Sequence, residues 1–289
     1  MPEPVARFSE EYSVGWILVP VVVRSKAGYV ENLTLKDFRV TVDGRPVKIE
    51  DFERRGEAPE SVVFLQDLSG SMGLDDKLEA SRQAVGYFLD KSHPDDEFAV
   101  ASFASGRTEV DVPFTDNVNA VREAITAWEA YGTTSLHDAV AWLPEISLAG
   151  RSVKRAAVLV TDGVDNASQI TPEAAREIVR RAELPVYVLG MASGDPYALT
   201  AERKKVYRYA DVLNLLASLT GGRYYSVSGP DDLKEACAAI ADELRYQYVL
   251  SFSTRDAGAV KYRAIRVEIP GRESLRILTR QGYKGLAPR

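Results

Sequence analysis

The 289 residues carry 36 Lys+Arg against 42 Asp+Glu, a formal net charge of −6, with 45% hydrophobic and 27% charged residues. These proportions exclude a mostly disordered or fibrous chain, and the negative charge sets the whole chain against phosphate backbones and anionic lipid, so no nucleic-acid partner is expected. A single cysteine, Cys237, excludes an intrachain disulfide, a Cys-based zinc site and a redox cysteine pair, and two histidines, His93 and His137, leave few imidazoles for catalysis.

In chain order, Val19, Val21 and Val23 alternate as a strand does, and so do Phe38, Val40 and Val42. Asp43-Gly44 then reads as a tight hairpin turn into Val47 and Ile49. The longest apolar candidate, Val14 to Val23, is interrupted by Pro20 and is too short to span a membrane, so no direct membrane insertion is expected. The opening Met1-Pro2-Glu3-Pro4 has neither a basic nor an apolar leader region, so no signal peptide is visible, although a mature chain would look the same. Residues 57–61 read as a linker.

Val62-Val63-Phe64-Leu65 is apolar on both faces, as buried parallel strands are. A polar Gly/Ser turn and a helical pattern with Leu78, Val85 and Phe88 follow. Further strands are expected at Phe98–Phe103, Ala156–Val160, Val186–Met191 and Arg223–Val227. Helices are expected at 118–130, 136–143, 172–182, 206–219 and 230–244, the last with Leu233, Cys237, Ile240 and Leu244 on one face. Such alternation predicts an α/β fold with a doubly wound, mostly parallel sheet. After Arg245 the pattern returns to β, with Ile265, Val267 and Ile269 alternating and then Leu275 and Ile277. Two β ends of about 45 residues bury too little surface alone, so the expected organisation is an N-terminal β segment, 1–57, pairing with a C-terminal one, 245–289, as a small β-sandwich. The α/β domain, 58–244, is inserted between them, and the chain ends lie together.

The chemistry concentrates after the first central strand, in Asp67-Leu68-Ser69-Gly70-Ser71-Met72-Gly73. In an open α/β sheet the carboxyl ends of the strands face the ligand crevice, so Asp67, Ser69 and Ser71 offer a carboxylate and two hydroxyls there. Thr134, at the start of a helix, and Asp162, after the strand ending at Val160, can join them. An all-oxygen set with few carboxylates suits a hard, six-coordinate ion that keeps some waters, Mg²⁺ or Mn²⁺ in preference to Ca²⁺, and not zinc.

Asp67-x-Ser69-x-Ser71, Thr134 and Asp162 resemble the metal-ion-dependent adhesion site of the von Willebrand factor A domain, and the resemblance spans roughly residues 59–244. The flanks, Val21-Val22-Val23-Arg24, Leu33-Thr34-x-x-Asp37-Phe38, Asp43-Gly44 and Gln247-Tyr248-Val249-Leu250, are similar to a bacterial, acidobacterial-type family of such proteins. The resemblance implies a Rossmann-like sheet and a metal ligated directly by Ser69 and Ser71. It also implies that Thr134 binds in the ligand-competent state, that Asp67 and Asp162 act directly or through water, and that the sixth position is left for a partner's Asp or Glu. It leans towards an extracellular or periplasmic place, against the absent leader, which leaves the cytoplasm open. Tyr131 stands where many relatives carry glycine.

Single pieces have plainer readings: Asp or Ser after a strand is often a helix cap, and Asp165-Asn166 reads as turn chemistry. His137, one turn from Thr134, reads as packed or on a helix surface, and His93 as an exposed helix end. The segment 255–289 has nine basic and three acidic residues, and its arginines, alternating with apolar residues, read as a solvated strand face. Among enzymes, haloacid-dehalogenase phosphatases also begin with an Asp after the first strand, but they use Asp-x-Asp, and position 69 is serine. Ser71 in a nucleophile elbow lacks the first glycine and a suitably placed histidine. The expectation is a non-enzymatic, metal-dependent protein-binding module. A Mg²⁺-dependent phosphatase, or a scaffold whose metal only braces loops, is the alternative.

Overall fold

The structure, a computed structural model, describes residues 15–53, 59–163, 165–180, 184–191, 209–254 and 262–284. The chain opens with β1 (Gly15–Ser25), β2 (Gly28–Tyr29), β3 (Arg39–Val42), β4 (Arg45–Val47) and β5 (Asp51–Glu53). Asp43 (φ 48°) and Gly44 (φ 77°) take the left-handed backbone that a two-residue hairpin turn between β3 and β4 demands. The central part runs β6 (Glu60–Asp67), α1 (Lys77–Lys91), β7 (Glu97–Ala104), β8 (Arg107–Thr115), α2 (Val118–Thr126), α3 (Leu136–Val140) and α4 (Leu143–Ser147). It continues with β9 (Lys154–Thr161), α5 (Pro172–Val179), β10 (Val186–Met191), α6 (Tyr209–Thr220), β11 (Tyr224–Val227) and α7 (Pro230–Arg245). The chain closes with β12 (Tyr248–Thr254), β13 (Tyr262–Glu268), β14 (Arg276–Thr279) and β15 (Gly282–Lys284).

Two sheets combine strands from both flanks. One runs β14-β1-β12-β5, with β2 beside β1, and the other runs β15-β13-β3-β4. Among the described residues all pairings in them are antiparallel, with Val19 opposite Leu250 and Val40 opposite Val267. Their facing side chains, among them Val19, Val21, Tyr248, Phe252, Val40, Ile265 and Val267, form one buried cluster. The flanks thus make a small sandwich around the inserted α/β unit. Gly15 pairs with Thr254, while the extreme chain ends lie outside the described residues.

The inserted unit is a six-stranded sheet of order β11-β10-β9-β6-β7-β8, parallel except for the antiparallel edge strand β8. Successive side chains of β6 go to opposite faces. Val62 and Phe64 pack with α1, α2 and α7, while Val63 and Leu65 pack with α3 to α6. Cys237 lies fully buried on the apolar face of α7 together with Leu233, Ile240 and Leu244, as a small hydrophobe would.

Several boundaries differ from the sequence expectations for physical reasons. The expected helix 136–143 is two short helices, because Pro144 has no N–H to give to the carbonyl a turn back yet suits the first turn of a new helix. The helix from Val118 stops at Thr126, where the Arg82 guanidinium takes the carbonyls of Ile125 (3.0 Å) and Trp128 (2.7 Å). Glu60 and Ser61 belong to β6 and not to a linker. Residues 57–58 of that linker, 181–182 of the helix expected at 172–182 and 206–208 of the helix expected at 206–219 lie outside the described residues. Edge strand β8 was not anticipated. Its half-exposed, charged stretch with Pro113 and two register shifts against β7 has the look of a loop.

Candidate metal centre

The strand order reverses at β6: its crossover through α1 leads to β7 on one side, while β9 lies on the other. A crevice opens beyond the carboxyl ends of the strands at such a switch point. Asp67 ends β6 and Asp162 directly follows β9, so topology places both carboxylates there.

Three loops meet above the switch point, fastened by backbone hydrogen bonds. Gly70 N–H donates to Gly132 O (3.1 Å), Tyr131 N–H to Leu68 O (2.7 Å) and Ser105 N–H to Thr133 O (2.8 Å). Gly132 is needed at this junction: its φ is +66°, and a Cβ there would stand 1.9 Å from Ser105 Oγ. Thr134 is held from the other side, its N–H donating to Asn166 Oδ1 (2.9 Å) while Asn166 N–H returns to Thr134 O (3.0 Å). It precedes the N-cap of α3, Ser135, whose hydroxyl accepts from Gly106 N–H (3.1 Å).

Within this frame Ser69 Oγ and Ser71 Oγ lie 3.2 Å apart. Asp67 is fully buried: its Oδ1 accepts from Ser69 N–H (2.8 Å) and its Oδ2 from the Thr161 hydroxyl (2.6 Å). Asp162 Oδ2 accepts from the Lys77 ammonium (3.0 Å), which also donates to Ser71 O (3.1 Å). Among the described residues no three His, Cys, Asp or Glu side chains form a metal-holding group, so a cation here would depend on hydroxyl oxygens. The residues present fit a small hard ion. Neighbouring ligands about 2.1 Å from an octahedral centre stand roughly 3.0 Å from each other, close to the separation of the two serine oxygens. The Asp162 carboxylate already accepts a cation, the Lys77 ammonium.

Burial pushes the Asp67 carboxyl up to about 6, against the hydrogen bonds from Thr161 and Ser69 that hold it down, with the Asp162 charge adding to the rise. In the metal-free chain that carboxyl binds its proton more tightly folded than unfolded. Its contribution to stability is therefore full below about pH 4 and is lost as the pH rises through about 6, a change of roughly 3 kcal/mol. Urea unfolding in the presence of a chelator should show this decline between pH 4 and 7, and Asp67→Asn should make it shallower, leaving the share of Glu60, whose carboxyl burial pushes up to about 7. Equal slopes in wild type and Asp67→Asn would mean that the burial of Asp67 costs the ionised form nothing.

Two residues read as turn chemistry, Asp165 and Asn166, prove to be braces. Asp165 Oδ2 accepts from His137 N–H (3.0 Å) and lies 3.2 Å from His137 Nδ1, and burial lowers the imidazole's affinity for a proton. His137 is thus a packed histidine, and Asn166 is the clamp on Thr134. His93, at the end of α1, is half exposed as expected. The residue missed altogether is Lys77. It is 5% exposed at the first position of α1, where the helix dipole disfavours a positive charge, and that local misfit was the available signal.

Residues 62–164 match the family model of the von Willebrand factor type A domain, a stretch that includes Asp67, Ser69, Ser71, Thr134 and Asp162. The inter-alpha-trypsin inhibitor heavy chain H4 of Bos taurus is 29% identical over 154 residues, 48% of this chain and 17% of that protein; the chain thus spans about a sixth of this curated relative. Among solved structures, a von Willebrand factor type A protein from Catenulispora acidiphila is similar with a TM-score of 0.54 at 14% identity, over 88% of this chain and 74% of the other. The pilus adhesin SpaC from Lactobacillus rhamnosus GG is similar with a TM-score of 0.54 at 14% identity, over 73% of this chain and 35% of the other. At such identities these structures speak for the fold. The matched stretch begins in β6 and runs past Asp162, so the resemblance to the von Willebrand factor type A domain lies in the inserted α/β unit that carries the candidate site.

Proposed function

We propose that the chain is a divalent-metal-dependent protein-binding module of the adhesion type, acting outside the cell or in its envelope. The observation that carries the reading is the meeting of the Ser69 and Ser71 hydroxyls, 3.2 Å apart, with Asp67 and Asp162 at the switch point of the sheet. Ser69, Ser71 and Thr134 would hold Mg²⁺ or Mn²⁺, with Asp67 and Asp162 serving directly or through water. A bound ion of this kind supplies an electrophilic position for a carboxylate oxygen of an Asp or Glu on a protein partner.

The chain's own residues keep that position reactive. Both oxygens of Asp67 are engaged by Ser69 and Thr161, and one of Asp162 by Lys77, so little negative charge is left to satisfy a cation. Hydroxyls contribute oxygens without charge. The similarity in fold to a pilus adhesin supports both the binding role and the envelope location. A phosphatase would need a second carboxylate at position 69, where this chain has Ser69.

Calorimetric titration of Mg²⁺ and Mn²⁺, followed by a glutamate-bearing peptide, tests the reading. Metal binding followed by metal-dependent uptake of the peptide, lost in its glutamine counterpart, is the expected result. Metal binding that raises the unfolding temperature while no acidic peptide ever binds would make the ion a brace for the loops and sink the adhesion reading.

A further inference from the structure

Lys77 breaks two local rules at once. It is a buried ammonium, and it opens α1 at the helix end that disfavours cations. The chain also bends to place it. The two preceding residues, Asp75 (φ 53°) and Asp76 (φ 55°), both hold left-handed backbone, an arrangement unfavourable for residues with a Cβ and found where surrounding structure imposes it. Departures of this kind cluster at functional sites, where local preference gives way to a demand from elsewhere. Here the demand comes from 85 residues downstream, at Asp162 Oδ2, 3.0 Å from Lys77 Nζ, and the same ammonium reaches Ser71 O at 3.1 Å. It therefore ties together the two loops that bear the proposed ligands Ser71 and Asp162.

We propose that Lys77 is the resident cation of the site, a positioning residue that holds Asp162 and Ser71 together and weakens divalent-metal binding by withholding a carboxylate oxygen and adding a positive charge. The inference rests on the metal-centre reading above. Counting Asp67, Asp162 and Lys77, the site has one net negative charge in place of two. Two effects of the lysine oppose each other. Its hydrogen bonds pre-order the loops, which favours metal, and its charge repels an incoming dication across a buried, poorly screened gap. Charge–charge terms are strengthened by burial, whereas a hydrogen bond to a neutral carbonyl has a modest net worth, so repulsion prevails. A site that holds its ion loosely leaves more of the ion's electrophilicity for a partner's carboxylate.

The test compares wild type, Lys77→Met and Lys77→Arg by calorimetric titration with Mg²⁺ and Mn²⁺, with thermal unfolding measured with and without metal. Lys77→Met should bind Mg²⁺ at least tenfold more tightly than wild type, while Lys77→Arg, which keeps the charge, should show no tightening. Metal-free Lys77→Met should unfold at a lower temperature, because Asp162 loses its partner, and should gain more on adding Mg²⁺ than wild type gains. Where Lys77→Met fails to fold without metal, Lys77→Gln, which keeps a donor for Asp162, takes its place with the same expected tightening. Equal or weaker affinity in the folded neutral variant would overturn the proposal and make the lysine a brace. Should only the neutral variant bind metal, the lysine would be the site's standing occupant, and the metal-dependent reading of the wild type alone would fall. Should neither bind, both readings fail.

Discussion

A chain in which Ser69 and Ser71 are both alanine is expected to lose measurable Mg²⁺ and Mn²⁺ binding while unfolding within about 1 kcal/mol of wild type. The two hydroxyls are the donors that the remaining groups cannot replace. Asp67 has both oxygens engaged, by Ser69 N–H and the Thr161 hydroxyl, and Asp162 shares one oxygen with Lys77. Stability changes little because the two hydroxyls face each other at 3.2 Å, and the Asp67 carboxylate, which also meets the Ser69 side chain, keeps Ser69 N–H and the Thr161 hydroxyl as donors. The backbone bond from Ser69 N–H to Asp67, which shapes the loop, survives the substitution. Calorimetry for the metal and urea unfolding for the fold check the two halves separately. Affinity retained within threefold would mean that the carboxylates hold the ion by themselves, and phosphatase assays would then become the next experiment.

What could be read from the sequence follows the distance over which each feature acts. Asp67, Ser69 and Ser71 lie within five residues, and the apolar run Val62–Leu65 just before them marks a central strand, so the crevice and its first donors were visible together. Pairing of the β flanks was accessible for a different reason: neither end has enough apolar surface to stand alone. Asn166 and Lys77 were hidden because their roles depend on contacts 32 and 85 residues away. Turn propensity alone accounts for Asn166, and nothing in the sequence around Lys77 names Asp162 as its partner. Helix α2 was overextended because its stop comes from Arg82 on another helix.

The basic C-terminal segment shows the same limit, and it carries the second large expected effect: Arg280→Ala should cost about 3–5 kcal/mol, whereas Arg266→Ala should cost less than about 0.5. Both arginines fall in the segment read as a solvated strand face. Arg266 conforms, its side chain 77% exposed beside Glu268. Arg280 does not. It is 2% exposed, among the largest fully buried side chains, and its guanidinium donates to Gly282 O (2.9 Å), Leu18 O (3.3 Å) and Arg180 O (3.2 Å). These carbonyls belong to β15, to β1 and to the end of α5, so one side chain joins the sandwich to the inserted α/β unit. Truncation would leave one buried and two part-buried acceptors to find water in a cavity that a guanidinium filled. Arg280→Lys should recover only part of the loss, since an ammonium on a flexible stem does not reproduce the planar fork that spans three acceptors. Chemical denaturation of the three variants at one pH checks the order. A cost for Arg280→Ala no greater than that for Arg266→Ala would mean that the three carbonyls do not need the guanidinium, and that other contacts hold the sandwich to the α/β unit, such as Arg24 beside Glu243.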